Sequence, residues 1–380
     1  MGFPVVGMVG GGQLARMTAP AAVPLGLGFR VLAARRDDAA AQVVPGTVVG
    51  DEKVLADLRD FAAGCDVLTF DHEHVPTAHL RSLEADGFAV RPGPDALVHA
   101  QDKGVMRERL TAAGLPCPRW RHVDDPAEVC RVAAGLGWPV VLKTVRGGYD
   151  GKGVWVARSA EDAVLPEPFR AGVAVLAEEL VDFRRELSAV VARSPHGQAV
   201  AYPVVESVQA NGICVEVLAP APGLPADRAA EAQRIALSVA AELGVVGVLA
   251  VELFEARDGR LLVNELAMRP HNTGHWTIDG AITSQFENHL RAVLDLPLGD
   301  PRARDPYTVM VNVLGGNRAE TYRSYRHLLA RDPGLRVHWY GKQVRPGRKV
   351  GHVTVCGEDL DDLRERAWHA ARYLQGDIDE

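Results

Sequence analysis

Val251-Glu252-Leu253-Phe254-Glu255-Ala256-Arg257-Asp258-Gly259-Arg260-Leu261-Leu262-Val263-Asn264-Glu265-Leu266 decides how the chain is read. Residues 245–255 and 260–266 have strand composition, and Asp258-Gly259 is a strong two-residue hairpin signal. Such a turn pairs Arg257 with Arg260, and counting outward places Glu252 opposite Glu265. Like charges facing across a strand pair are destabilising. A cation between them removes that cost. Two carboxylates with coordination to spare are the usual protein share of a Mg²⁺ site, and Asn264 offers another oxygen. A bulge that breaks the register, or an arginine opposite each glutamate, is the competing reading.

Upstream lies Lys143-Thr144-Val145-Arg146-Gly147-Gly148-Tyr149-Asp150-Gly151-Lys152-Gly153-Val154. The apolar run Pro139-Val140-Val141-Leu142 delivers Lys143 to a strand end, and Val154-Trp155-Val156 resumes a strand. Glycines let backbone N–H groups approach an anion closely, and Lys143 and Lys152 add point charges. The pattern is not a Walker A loop, because Gly153 follows Lys152 where Ser or Thr is needed. A plain glycine-rich hairpin stays open as the alternative. Residues 174–180 and 183–193 read as consecutive strands, which brings Glu178, Glu179 and Glu186 near one another. Downstream, Arg269-Pro270-His271-Asn272-Thr273-Gly274-His275-Trp276 leaves the carboxylate-bearing strand with cations suited to an anionic substrate.

The first hundred residues alternate strands and helices, an open parallel α/β sheet. Strands are expected at 5–9, 30–33, 47–49, 67–70 and 89–91, with a helix opening after Gly12 that Pro20 kinks or shortens. Gly10-x-Gly12-x-x-Ala15 formally matches a dinucleotide fingerprint, although Arg35 and Arg36 crowd the acids Asp37 and Asp38 that would hold a ribose. Asp71-His72-Glu73-His74 lacks metal-site spacing, and Glu73 reads better as a hydrogen-bond acceptor for a ligand. One helix is expected over 95–114, another after Pro126, strands at 198–205 and 213–218, and a helix over 226–243. From about residue 301 a small β-rich lobe carries the basic loop Lys342-Gln343-Val344-Arg345-Pro346-Gly347-Arg348-Lys349.

With 380 residues the chain holds two or three domains. A net charge of −7 argues against a nucleic-acid partner. Cys65, Cys117, Cys130, Cys214 and Cys356 are scattered, as reduced thiols of a cytoplasmic protein would be. No signal peptide and no segment long enough to span a bilayer is expected.

These features together resemble the ATP-grasp superfamily, and more narrowly the N5-carboxyaminoimidazole ribonucleotide synthase family of purine biosynthesis. The likeness covers essentially the full length. It rests on Gly11-Gly12-Gln13-Leu14-Ala15-Arg16-Met17, Gly147 to Gly153, Asn264-Glu265-Leu266-Ala267, His271 to Trp276, and Arg345-Pro346-Gly347-Arg348-Lys349-Val350-Gly351-His352. It implies an ATP-grasp fold: an N-terminal open α/β domain over 1–97, an ATP-grasp domain over 98–300 with a mobile lid near 120–180, and a C-terminal β-rich domain over 301–380. It also implies that ATP phosphorylates bicarbonate to carboxyphosphate, and that this, or CO₂ released from it, carboxylates the amine of 5-aminoimidazole ribonucleotide. By the same resemblance Lys103, Lys143, Gly148, Tyr149, Asp150, Gly151, Lys152, Gly153, Val154, Gln209 and Asn264 contact ATP. Glu178, Glu179, Leu180 and Val181 form the adenine hinge, and Glu186 meets the ribose. Glu252 and Glu265 hold Mg²⁺. Arg269, His271 and Asn272 stabilise carboxyphosphate, and Tyr149 and Asp150 meet the aminoimidazole. Gly12, Gln13, Leu14, Glu73, Lys342, Arg345, Arg348 and Lys349 receive the ribonucleotide. A homodimer is a further implication. In this sequence Lys103 stands where the family commonly has arginine, Gln209 where histidine is frequent, and Met268 where proline is usual. A different ATP-grasp ligase, such as a formate-using phosphoribosylglycinamide enzyme, an NAD-dependent oxidoreductase built on the first glycine loop, and a non-catalytic nucleotide-binding protein are the alternatives.

Overall fold

The structure, a computed structural model, describes residues 2–148, 152–163, 172–316, 318 and 321–379. The N-terminal segment forms β1 (Val5–Val9), β2 (Gly28–Ala33), β3 (Gly46–Val49) and β4 (Val67–Phe70), all parallel in the order β3-β2-β1-β4. Val6, Met8, Val9, Val31, Leu68 and Phe70 are buried, so both faces are covered, as parallel sheets require. The strand expected at 89–91 shrinks to a single bridge between Leu68 and Val90. Pro92 has no N–H with which to extend that ladder. The first helix, Gln13–Ala22, contains Pro20 and ends two residues later.

The helix expected over 95–114 is two helices, Pro94–Gln101 and Lys103–Ala112. Asp102 between them is extended (φ −135°, ψ 106°), and its carboxylate accepts from Gly104 N and Val105 N. This is an N-cap, and it also accepts from Arg146 Nε at 2.8 Å. The break puts Lys103 on the first turn of the second helix, facing the cleft described below.

A small antiparallel sheet follows, built of β5 (Trp120–Val123), β6 (Val140–Thr144), β7 (Val154–Ala157) and β8 (Val175–Glu179) in the order β5-β8-β6-β7. Lys143 pairs with Val154, so the glycine-rich stretch does connect a β6–β7 hairpin. The helix Pro126–Leu136 covers this sheet through Val129 and Ala133.

The remaining strands are β9 (Phe183–Arg193), β10 (Ala199–Ala201), β11 (Val205–Ala210), β12 (Ile213–Ala219), β13 (Gly247–Ala256), β14 (Leu261–Ala267), β15 (Tyr307–Leu314), β16 (Arg336–Trp339) and β17 (Lys349–Gly357). They form one sheet in the order β14-β13-β9-β11-β12-β15-β17-β16, with β10 on β9. The single strand expected over 198–205 is divided into β10 and β11, because Pro203 cannot donate to the ladder. Among the described residues the C-terminal lobe has no sheet of its own. Its strands extend the central sheet through the β12–β15 pairing. The helices Thr321–Arg331 and Leu360–Gln375 pack on it, the second through Leu363, Ala367, Ala370, Ala371 and Leu374. Among the described residues no helix is long and apolar enough to cross a membrane.

Candidate active site

The β13–β14 hairpin closes differently from its sequence signal. Ala256 N donates to Arg260 O at 2.9 Å, which leaves Arg257, Asp258 and Gly259 as a three-residue loop with Gly259 at φ +87°. Arg257 does not pair with Arg260. It binds Asp182 at 3.1 Å, while Arg260 binds Asp258 at 2.7 Å. The ladder runs Glu255↔Leu261, Phe254↔Leu262, Leu253↔Val263, and then shifts to Glu252↔Glu265. Asn264 is the extra residue of a bulge. The longer turn and the bulge offset each other, so the glutamates face as the shorter count predicts. Adjacent residues of a regular strand point to opposite faces, and a bulge re-aims them. Here Asn264 Oδ1 accepts from Lys143 Nζ at 2.9 Å and Glu265 Oε1 lies 3.3 Å from Lys103 Nζ, on one side of the strand. The amide oxygen expected to reach a metal is thus engaged by Lys143.

Arg107 fixes the bulge from behind. Its Nη1 donates to Val263 O at 2.9 Å, its Nη2 to Asn264 O at 2.8 Å, and its Nε to Glu178 Oε1 at 2.7 Å. Lys143 Nζ takes the other oxygen of Glu178 at 2.7 Å. Burial alone pushes Glu178 up, but Arg107 and Lys143 outweigh it and hold this carboxyl at about 2. Glu178 is therefore an anchor for two cations, and its side chain is not free to read an adenine edge. Glu252 moves the other way. Burial, then the charges of Glu265 and Glu186, push it up to about 8. Two carboxylates facing each other behave this way, and the pair fits a divalent cation. Burial also raises Glu186, against the pull of Lys143.

At the end of β14, Arg269 Nε meets Glu73 Oε2 at 2.8 Å, joining the β4 loop to the central sheet. His271 Nε2 lies 3.5 Å from Glu252 Oε1. Burial, then Arg269 and Lys349, hold His271 well below its usual range. Asn272 keeps Nδ2 and Oδ1 buried without an oxygen or nitrogen partner among the described residues.

The first glycine loop carries an internal anion. Asp71 accepts from Gly12 N, from Leu14 N at 3.0 Å and from Ala15 N at 3.2 Å. These are the amides a dinucleotide pyrophosphate would use, so the oxidoreductase alternative loses its site. The Gln13 side chain instead meets Lys342 Nζ.

Arg107 and the hairpin-tip residues aside, these side chains line one cleft of about 1330 Å³. Three domain models match in sequence: the ribonucleotide synthetase preATP-grasp domain over residues 3–101, the ATP-grasp domain over 108–286, and the phosphoribosylaminoimidazole carboxylase C-terminal domain over 308–366. The N5-carboxyaminoimidazole ribonucleotide synthase of Mycobacterium tuberculosis is 61% identical over 98% of this chain and 88% of its own. The chain belongs to the N5-carboxyaminoimidazole ribonucleotide synthase family. The family's Corynebacterium ammoniagenes enzyme is 47% identical over 98% of this chain and 92% of its own. Two solved synthases share the fold throughout. That from Thermus thermophilus has a TM-score of 0.88 at 38% identity, covering 99% of each chain. That from Aspergillus clavatus, in complex with ADP and 5-aminoimidazole ribonucleotide, has a TM-score of 0.89 at 32% identity, again covering 99% of each chain.

Among the described residues, every site residue expected of this synthase family member lines the cleft except Gly153. Gly153 is constrained instead by its backbone: φ is +75°, and a Cβ would lie 2.6 Å from Thr144 Oγ1. Tyr149, Asp150 and Gly151 fall outside the described residues. The sequence reading missed Arg107, which looks like a surface residue of a charged helix, and Asp71, whose role depends on a loop some sixty residues away. It also missed the apolar slot of Val141, Val156, Phe183 and Leu266 beside Val154 and Leu180. The alternation of β6 and β7 could have disclosed the two valines.

Proposed function

We propose that this chain uses ATP and bicarbonate to carboxylate the exocyclic amine of 5-aminoimidazole ribonucleotide, releasing ADP and phosphate. One observation carries the reading. A paired carboxylate site, the buried Lys143 and half-buried Lys103, the Arg269–His271 turn and the Gln13–Lys342 contact share a single cleft. The apolar slot takes adenine, and peptide groups of Glu179 to Val181 read its edge. Gly148, Lys143, Lys152 and Lys103 hold the phosphates. Glu252 and Glu265 would hold Mg²⁺, whose charge offsets that building on the phosphoryl oxygens. A bicarbonate oxygen attacks the γ-phosphorus, the bond to ADP breaks, and carboxyphosphate forms. Arg269, His271 and Asn272 hold its oxygens. The buried amide of Asn272 supports this: among the described residues it has no oxygen or nitrogen partner, the Cys214 thiol being its polar neighbour, and leaving a buried polar group poorly paired costs about 1–3 kcal/mol. The amine nitrogen then bonds to the carboxyl carbon, phosphate leaves, and the amine loses a proton. Lys342, Arg345, Arg348 and Lys349 with Gln13 hold the ribose phosphate.

An ADP-release assay tests the reading. Turnover is expected with bicarbonate, Mg²⁺ and 5-aminoimidazole ribonucleotide together. Turnover with glycinamide ribonucleotide and formate, and none with the first set, overturns it.

A further inference from the structure

We propose that Gln285 is the positioning residue for His271, and that a buried column of Gln285, His275, His352 and Tyr340 ties the His271 turn to the basic loop at 342–349. This rests on the function proposed above. Gln285 opens the helix Gln285–Val293 and is fully buried. Its amide oxygen accepts from His271 N at 2.9 Å, and its amide nitrogen donates to His271 O at 2.7 Å. One side chain therefore holds both peptide groups of His271. The turn is shaped around this clamp, since a Cβ on Gly274 would lie 2.3 Å from Gln285 Oε1. The backbone of Gln285 is itself held, its N–H donating to Thr277 Oγ1 at 2.9 Å.

The column continues away from the cleft. Gln285 Nε2 lies 3.3 Å from His275 Nδ1. The His275 ring stacks on His352 with centroids 5.0 Å apart, and His352 Nδ1 meets Tyr340 Oη at 2.7 Å. Tyr340 precedes the basic loop and His352 follows it, and Tyr340 N donates to Val350 O at 2.9 Å. The ends of the loop proposed to take the ribose phosphate are thus pinned together and onto the turn that bears His271. All four side chains are fully buried. Burying polar groups is unfavourable unless they are hydrogen-bonded, His275 Nε2 and His352 Nε2 have no hydrogen-bond partner among the described residues, and apolar residues could fill the same space. Their joint placement between two ligand-facing loops assigns them to alignment of those loops.

Gln285→Met keeps the volume and removes both bonds to His271. In a steady-state assay with ATP, bicarbonate and 5-aminoimidazole ribonucleotide, kcat should fall about tenfold or more with KM for ATP within about threefold, since displacing a reacting group can cost on the order of 10²-fold. Tyr340→Phe deletes one hydroxyl and should lower kcat about threefold; the double variant should lose less than the product of the singles, as coupled sites do. Strictly multiplicative losses overturn the column. A folded Gln285→Met with wild-type kcat, or with KM for ATP rising in parallel, overturns the positioning role. Should Gln285→Met fail to fold, wild-type kcat in Tyr340→Phe overturns the proposal by itself. A wild-type chain inert to this substrate set overturns the function and the column with it. An active wild type whose variants are unaltered overturns the column alone.

Discussion

Glu252 and Glu178 lie in the same cleft and titrate in opposite directions. Glu252 holds its proton up to about 8 in the folded protein, against an ordinary 4.5. Between those values the folded, metal-free chain binds a proton that the unfolded chain has released, so stability falls as pH rises through that window. Thermal melts from pH 5 to 8.5 should show this slope, and it should flatten in Glu252→Gln. Mg²⁺ with nucleotide should also flatten it. Glu178, held at about 2, works in the reverse sense. Its stabilisation is present above its ordinary 4.5 and is lost as pH falls toward 2. Chemistry follows the same residues. Glu265→Gln should lower turnover by about 10³-fold or more, on the scale of losing a principal electrostatic group, with an unchanged circular dichroism spectrum. A near-normal rate would remove the metal argument.

The bulge at Asn264 turns two successive carbonyls onto one guanidinium, which a regular strand cannot do because its carbonyls alternate in direction. Arg107 is matched to that fork and to Glu178. Arg107→Met should destabilise the fold by about 3–5 kcal/mol, the usual cost of breaking a buried ion pair, measured by urea unfolding. Arg107→Lys should recover little of it, because an ammonium lacks the planar fork. The hairpin also shows why the sequence could locate the carboxylate pair and still misjudge its surroundings. Asp258-Gly259 signals a turn but not its length, and nothing local marks Asn264 as a bulge. Two deviations of one residue cancelled. The split at Asp102 was hidden for a related reason: an aspartate within a run of helix formers looks like helix surface until its carboxylate is seen capping Gly104. The helix Leu360–Gln375 went unread although Leu363, Ala367, Ala370 and Leu374 recur at helical spacing.

Three separate stretches of chain meet over one cleft, and the side-chain contacts that join them include Glu73 to Arg269 and Gln13 to Lys342 within it. Many wall residues were legible because they sit at a strand end or in a charged or glycine-rich loop, and Glu252 and Glu265 because a hairpin sets them face to face. The contacts between stretches were not, since they link residues 196 and 329 positions apart. If the basic loop takes the ribose phosphate, Arg348→Ala should raise KM for 5-aminoimidazole ribonucleotide about tenfold and leave ATP affinity unchanged, as losing a charge-assisted phosphate contact does. Equal losses for both substrates in steady-state kinetics would relocate the phosphate. The β12–β15 pairing has a consequence for dissecting the molecule. A chain cut before Tyr307 would leave β12 as a bare edge, with backbone donors and acceptors open to any passing strand. Such a fragment would retain both glutamates and both lysines yet be prone to self-association. The stretch from Tyr307 onward therefore acts as a seal on the sheet, and a minimal version of this enzyme cannot be reached by trimming its C-terminal end.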